Sequence, residues 1–181
     1  MFTLSEFTSR SVDNCARVGY SGIYSIAVGE SGKSYKSMFI GEYEHSLDEK
    51  KRISLPKAFR TGLGSKVVMT RGLDNCLFIY SQKAWGKVAE KLSELSFAQA
   101  DTRGFNRFIL SGAAEVEVDG AGRILIPDHQ KDFAGLKKNV VFAGVSDRVE
   151  VWDLARWNTY KARIEKNADA LAEKLGEIGA L

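Results

Sequence analysis

Two acid–base pairs at one spacing, Asp48-x-x-x-Arg52 and Asp119-x-x-x-Arg123, are where this chain could do chemistry. Aspartate favours the start of a turn because its carboxylate accepts nearby backbone N–H groups. An arginine leaving that turn is in reach of the same carboxylate, which orients its guanidinium through a charge-assisted hydrogen bond. A guanidinium held in this way offers a planar set of donors to a phosphate or to a base edge. The chemistry implied is recognition of an anion, not bond cleavage. The bland alternative is that each pair only staples its own turn, and the residues by themselves leave both open. The first turn reads Glu49-Lys50-Lys51, with Lys57 and Arg60 just beyond it, whereas the second reads Gly120-Ala121-Gly122 with no added base. If a polyanion binds, the first turn is expected to supply more of the attraction, through Lys50 and Lys51.

Catalysis finds little support. The two histidines, His45 and His129, are far apart and form no ligand-spaced cluster. The two cysteines, Cys15 and Cys76, make no disulfide framework and fit a reducing compartment, so the expected location is cytoplasmic. No nucleophile elbow or zinc motif is present, and no cofactor or metal is expected. Gly29-Glu30-Ser31-Gly32-Lys33-Ser34 ends like a phosphate loop, but the full pattern needs glycine at position 27, where Ala27 stands. A net charge of +3 permits a polyanionic partner without demanding one. No apolar run approaches the ~20 residues of a membrane span, and no signal peptide is legible.

The two pairs belong to a longer duplication. Residues 41–56 are echoed by residues 112–127 at a constant offset of 71, so that Pro56 also matches Pro127. With small gaps the echo continues through Gly62-Leu63 and Gly135-Leu136, Val67-Val68 and Val140-Val141, and Trp85 and Trp157. A repeat of this length is one supersecondary unit used twice. Each unit of about 70 residues is marginal alone, so the two are expected to share a core.

In each copy an alternating strand leads into the turn, most clearly where Val116 and Val118 alternate with Glu115 and Glu117. A second strand starts at the arginine, with Ile53 and Leu55 on one face and Arg52 on the other, and ends at the proline. Short helices over Lys57–Leu63 and Asp128–Leu136 follow. Third strands are predicted over Val67–Thr70 and Val140–Ala143, and fourth strands over Cys76–Tyr80 and Val149–Trp152. Each copy closes with an amphipathic helix. One carries Trp85, Val88, Ala89, Leu92 and Leu95, the other Trp157, Ile164, Ala168, Leu171 and Leu175, and both tryptophans are expected in the core. The fold class is therefore α+β and rich in strand. Residues 1–37, serine-rich and outside the repeat, read as a flexible extension or a mis-set start, with Met38 as the natural one. The first repeat covers 38–95, a helical link 96–110, and the second repeat with its C-terminal helix 111–181. Arg103 and Arg107 of the link are expected on a solvated basic face.

Met38-Phe39-Ile40-Gly41-Glu42-Tyr43, then Leu47-Asp48-Glu49-Lys50-Lys51-Arg52-Ile53-Ser54-Leu55-Pro56, then Ser111-Gly112-Ala113-Ala114-Glu115 and Asp119-Gly120-Ala121-Gly122-Arg123-Ile124-Leu125-Ile126-Pro127, resemble the bacterial MraZ family. The resemblance covers residues 38 to about 175, and the doubled motif is highly specific. It implies two tandem AbrB-like swapped-hairpin repeats forming a pseudo-dimeric β-barrel core. It also implies a cytoplasmic, nucleoid-associated transcriptional regulator that assembles into multi-subunit rings. The implied target is double-stranded DNA, at short G-rich direct repeats in the promoter of its own division and cell-wall operon. The family's functional residues carry over as Asp48, Arg52, Asp119 and Arg123, whereas Lys50 and Lys51 rest on charge alone. The rival expectation is a non-catalytic oligomeric ring or scaffold that binds protein through the two amphipathic helices.

Overall fold

The computed structural model describes residues 38–180, so the expectations for residues 1–37 lie outside the described residues. The first repeat runs β1 (Phe39–Ser46), β2 (Arg52–Ser54), α1 (Lys57–Leu63), β3 (Lys66–Arg71), β4 (Leu77–Ser81) and α2 (Gln82–Ser93). A linking helix, α3 (Ala100–Leu110), leads to β5 (Ala114–Glu117), β6 (Arg123–Leu125), α4 (Asp128–Ala134), β7 (Asn139–Ser146), β8 (Arg148–Asp153), α5 (Leu154–Lys166) and α6 (Ala168–Glu177).

The strands form an antiparallel six-stranded sheet in the order β1-β7-β8-β4-β3-β5 and a two-stranded ribbon of β2 and β6. The repeats exchange their leading strands. β1 pairs with β7 of the second repeat, from Phe39 opposite Ser146 to Ser46 opposite Asn139, and β5 pairs with β3 of the first. Two registers fix a pseudo-two-fold axis. Ile53 faces Ile124 at the centre of the ribbon, and Phe78 faces Glu150 at the centre of the β4–β8 pair. Neither repeat owns a complete sheet, which is why one core serves both. The sheet's outer strands, β1 and β5, do not pair with each other, so hydrogen bonding does not close the expected barrel.

The core is built from matched residues of the two copies: Ile53 with Ile124, Leu55 with Ile126, Val67 with Val140, Leu77 with Val149 and Ile79 with Val151, all almost completely buried. Strand alternation sends these side chains inward and sends Arg52 and Arg123 outward. Pro56 and Pro127 stand immediately before α1 and α4, where a missing N–H costs nothing. α4 ends on Gly135 in the left-handed region (φ 59°). Ser81 and Asp153 cap α2 and α5 at matching positions, their side-chain oxygens accepting from Ala84 N and from Ala155 N and Arg156 N.

Several expectations change. Trp85 and Trp157 are half-buried instead of in the core. Trp85 leans on Tyr80 at 5.9 Å, and Trp157 packs with Trp152 at 5.4 Å and Tyr160 at 6.1 Å. The single C-terminal helix is two, broken at Asn167, and α6 leaves Leu171, Leu175 and the following Ile178 exposed. In the link, Arg103 donates through Nη1 to the carbonyls of Phe97 and Ala98, both at 2.8 Å, so it ties down its own loop; Arg107 is exposed as expected. Among the described residues no helix is long and apolar enough to cross a membrane.

Candidate nucleic-acid interface

The two Asp-x-x-x-Arg corners have the same atomic frame. In the first, Asp48 Oδ1 accepts from Lys50 N at 2.8 Å and Arg52 N at 2.9 Å, while Oδ2 accepts from Arg52 Nε and Nη2, both at 2.8 Å. In the second, Asp119 Oδ1 accepts from Ala121 N and Arg123 N at 2.9 Å, and Oδ2 from Arg123 Nε and Nη2 at 2.8 Å. The backbone closes each corner. Asp48 N donates to Arg52 O and Asp119 N to Arg123 O, both at 2.9 Å. One carboxylate thus holds the turn with one oxygen and aims a guanidinium with the other.

The electrostatics follow from those bonds. The Arg52 backbone N–H, then the Arg52 side chain, holds the Asp48 carboxyl below the usual aspartate range. The Arg123 side chain does the same for Asp119 and is in turn held in its charged form more firmly. Both arginine side chains are about one-third exposed, at 33% and 34%. Each guanidinium is thus held by its aspartate while about a third of its side chain stays exposed.

The ribbon between the corners presents four side chains outward. Arg52 stands opposite Leu125, and Ser54 stands opposite Arg123. Leu125, a large apolar residue, is 53% exposed. A two-stranded ribbon is one of the shapes that a DNA major groove admits, and arginine and hydroxyl groups are among the donors that read base edges there. Ser54 and Leu125 were not singled out from sequence, although strand alternation puts both on the arginine face and could have found them.

The basic residues do not stay where the chain order suggests. Lys50 is exposed beside the first corner. Lys51 adopts a positive φ of 59°, and its ammonium pairs with Asp128 of the second repeat. That ammonium holds the Asp128 carboxyl below its usual range. Arg60 leaves the first corner altogether. Its Nε donates to Leu55 O at 2.9 Å, and its guanidinium lies against Gly122 in the second corner. The second turn is therefore not without an added base.

Elsewhere the chemistry is sparse. Among the described residues no group of three His, Cys, Asp or Glu side chains is placed to hold a metal. Cys76 is buried, and burial pushes its thiol far above the ordinary range, so it is inert at neutral pH. His45 packs edge-on against Phe142 at 5.6 Å. Burial, and then the nearby Arg60, lowers its pKa from the ordinary histidine value.

A strand-exchanged α+β fold with two Asp–Arg corners on one outward ribbon defines a class of small tandem-repeat β-ribbon proteins. The particular family follows from comparison with known proteins. The family model described as "MraZ protein, putative antitoxin-like" matches residues 38–108 and 109–177. The chain is 51% identical over 142 residues to the transcriptional regulator MraZ of Acetivibrio thermocellus, covering 78% of this chain and 99% of that one. It is 47% identical over 141 residues to that of Desulforamulus reducens, covering 78% and 99%. It is 49% identical over 138 residues to that of Moorella thermoacetica, covering 76% and 96%. This chain belongs to the MraZ family, whose named role is transcriptional regulation and not enzyme catalysis.

Proposed function

We propose that this protein is a sequence-specific DNA-binding transcriptional regulator. Its targets are direct repeats in the promoter of its own division and cell-wall operon, and it acts on the nucleoid as a multi-subunit ring. The observation that carries the DNA reading is the pair of one-third-exposed guanidinium groups, aimed by identical aspartate frames on one face of a two-stranded ribbon. In this reading Arg52 and Arg123 donate to the O6 and N7 acceptors of guanine. Asp48 and Asp119 do not touch DNA but fix the arginines, which lowers the ordering cost of each contact. Lys50 and, after exchanging Asp128 for a phosphate, Lys51 hold the backbone.

Self-association addresses affinity. One ribbon neutralises few phosphates, and its grip weakens steeply with salt. Several ribbons linked in one assembly gain from effective concentration, by about 100-fold or more. The exposed apolar residues of α6, Leu171 and Leu175, with Ile178 just beyond, supply a surface for such contacts. A head-to-tail ring also suits direct repeats, because every subunit presents its ribbon in the same sense.

The deciding experiment titrates full-length protein against fluorescent DNA carrying the upstream repeats and against scrambled DNA of equal length. Tighter binding to the repeats by about 1,000-fold or more is expected, the ordinary range of specificity ratios. Equal affinity for both would overturn the reading in favour of a protein-binding scaffold.

A further inference from the structure

The geometry points to a backbone-phosphate subsite at the second corner whose cation, Arg60, is donated by the first repeat. The inference rests on the DNA-binding reading and deepens it.

Three observations carry it. The first is the seat. Gly122 is buried with φ 76°, and a methyl group there would meet Arg60 Cζ and Nη1 at 2.3 Å. Gly122 is therefore the residue that admits Arg60, and it directly precedes Arg123. The second is the anchorage. Leu55 donates its N–H to Gly122 O at 2.9 Å and accepts from Arg60 Nε, also at 2.9 Å, so one residue fixes both the turn and the guanidinium. Arg60 has no carboxylate partner among the described residues, and its side chain is only half-buried.

The third is the mismatch between the halves. By the offset of 71, Lys51 is the counterpart of Gly122, and Asp128 is the counterpart of Lys57. The Lys51 side chain starts where Arg60 lies in the other corner, and Asp128 neutralises it. Where the first corner has an acid, the second has Lys57. Each corner thus has one cation at the same place, but only the second has it unpaired. The second turn, bare in sequence, thus gains a cation from the other repeat. An unpaired cation contributes a full counterion-release increment, whereas a paired one must first give up its acid.

The test uses the full chain, labelled repeat and scrambled DNA, and a series of salt concentrations. Arg60→Gln is expected to weaken both DNAs alike, by about fivefold near 0.15 M salt, and to lower the salt slope by about 0.9 for each corner engaged. Arg60→Lys, which keeps the charge and loses the Leu55 bond, is expected to retain the slope. Asp128→Asn is expected to tighten both DNAs and steepen the slope by releasing Lys51. If Arg60→Gln leaves affinity and slope unchanged while Arg123→Ala loses the repeats, Arg60 is only a spacer and the inference fails, with the DNA reading intact. The inference fails equally if Arg60→Lys loses as much as Arg60→Gln. If the wild-type chain binds neither DNA, the functional reading falls and takes the subsite with it.

Discussion

The two corners of the ribbon share every hydrogen bond of their aspartate frames and differ in the charges around them. The first is crowded with charge: Glu49, Lys50 and Lys51 follow one another, and the last of them is tied to Asp128. The second is bare in sequence yet receives Arg60 from across the pseudo-two-fold axis. Ser54 on one strand is Leu125 on the other. The lesson is that the frame which aims the arginine is the repeated device, while the charges and side chains around it are free to differ. Local charge counted along a chain is a poor guide to local charge in space when strands are exchanged.

The largest effect that tests this comparison comes from the arginines. Arg52→Ala and Arg123→Ala are each expected to lower preference for repeat DNA by about tenfold, the range of one good bidentate base contact. Far-UV circular dichroism should stay unchanged, because both groups sit on the outer face. Retention of full preference by either variant would show that its corner is a staple.

A smaller effect separates the turns by backbone. Gly122→Ala is expected to destabilise the fold by about 1–3 kcal/mol, since a side chain there meets both a left-handed conformation and the Arg60 guanidinium. Lys51→Gly, at φ 59° in the matching place, is expected to be neutral or to stabilise by up to about 1 kcal/mol. Urea denaturation midpoints measure both. Equal losses in the two variants would mean that the corners are not packed differently.

The smallest expected effect is that of pH. The Asp48, Asp119 and Asp128 carboxyls are all held below their usual range in the folded protein. A lowered folded pKa stabilises above the unfolded value and ceases to do so as pH falls through the folded one. The contribution should therefore be constant between pH 6 and 8, and should fade only below about pH 4, where unfolded aspartates take up protons. A transition near pH 6 in thermal stability would implicate a histidine instead.

Much of the candidate site was legible because it is local. A turn-starting aspartate, an arginine four residues on and a proline at the strand end all act within one short segment, and each took the predicted place. Doubling made the inference firmer, because chance rarely repeats a spacing. The long-range pairings were not legible. The contact of Lys51 with Asp128 spans 77 residues and depends on strand exchange, which no periodicity reports. The break at Asn167 was also invisible, because apolar residues continue at helical spacing through it. There the Asn167 side chain donates to Arg163 O at 2.7 Å and turns the chain locally. The two tryptophans were placed too deep because helical periodicity shows which face turns inward, not how far a helix at the rim sinks.

Fusing both arms into one polypeptide has an evolutionary consequence. In an assembly of two identical chains, every substitution lands on both arms at once, and the reading head stays palindromic whatever is tried. Here a change at Leu125 leaves Ser54 untouched. On the proposed DNA-binding reading, one arm can be tuned for what it reads while the other is tuned for how hard it holds, and the target need not be a mirror image of itself.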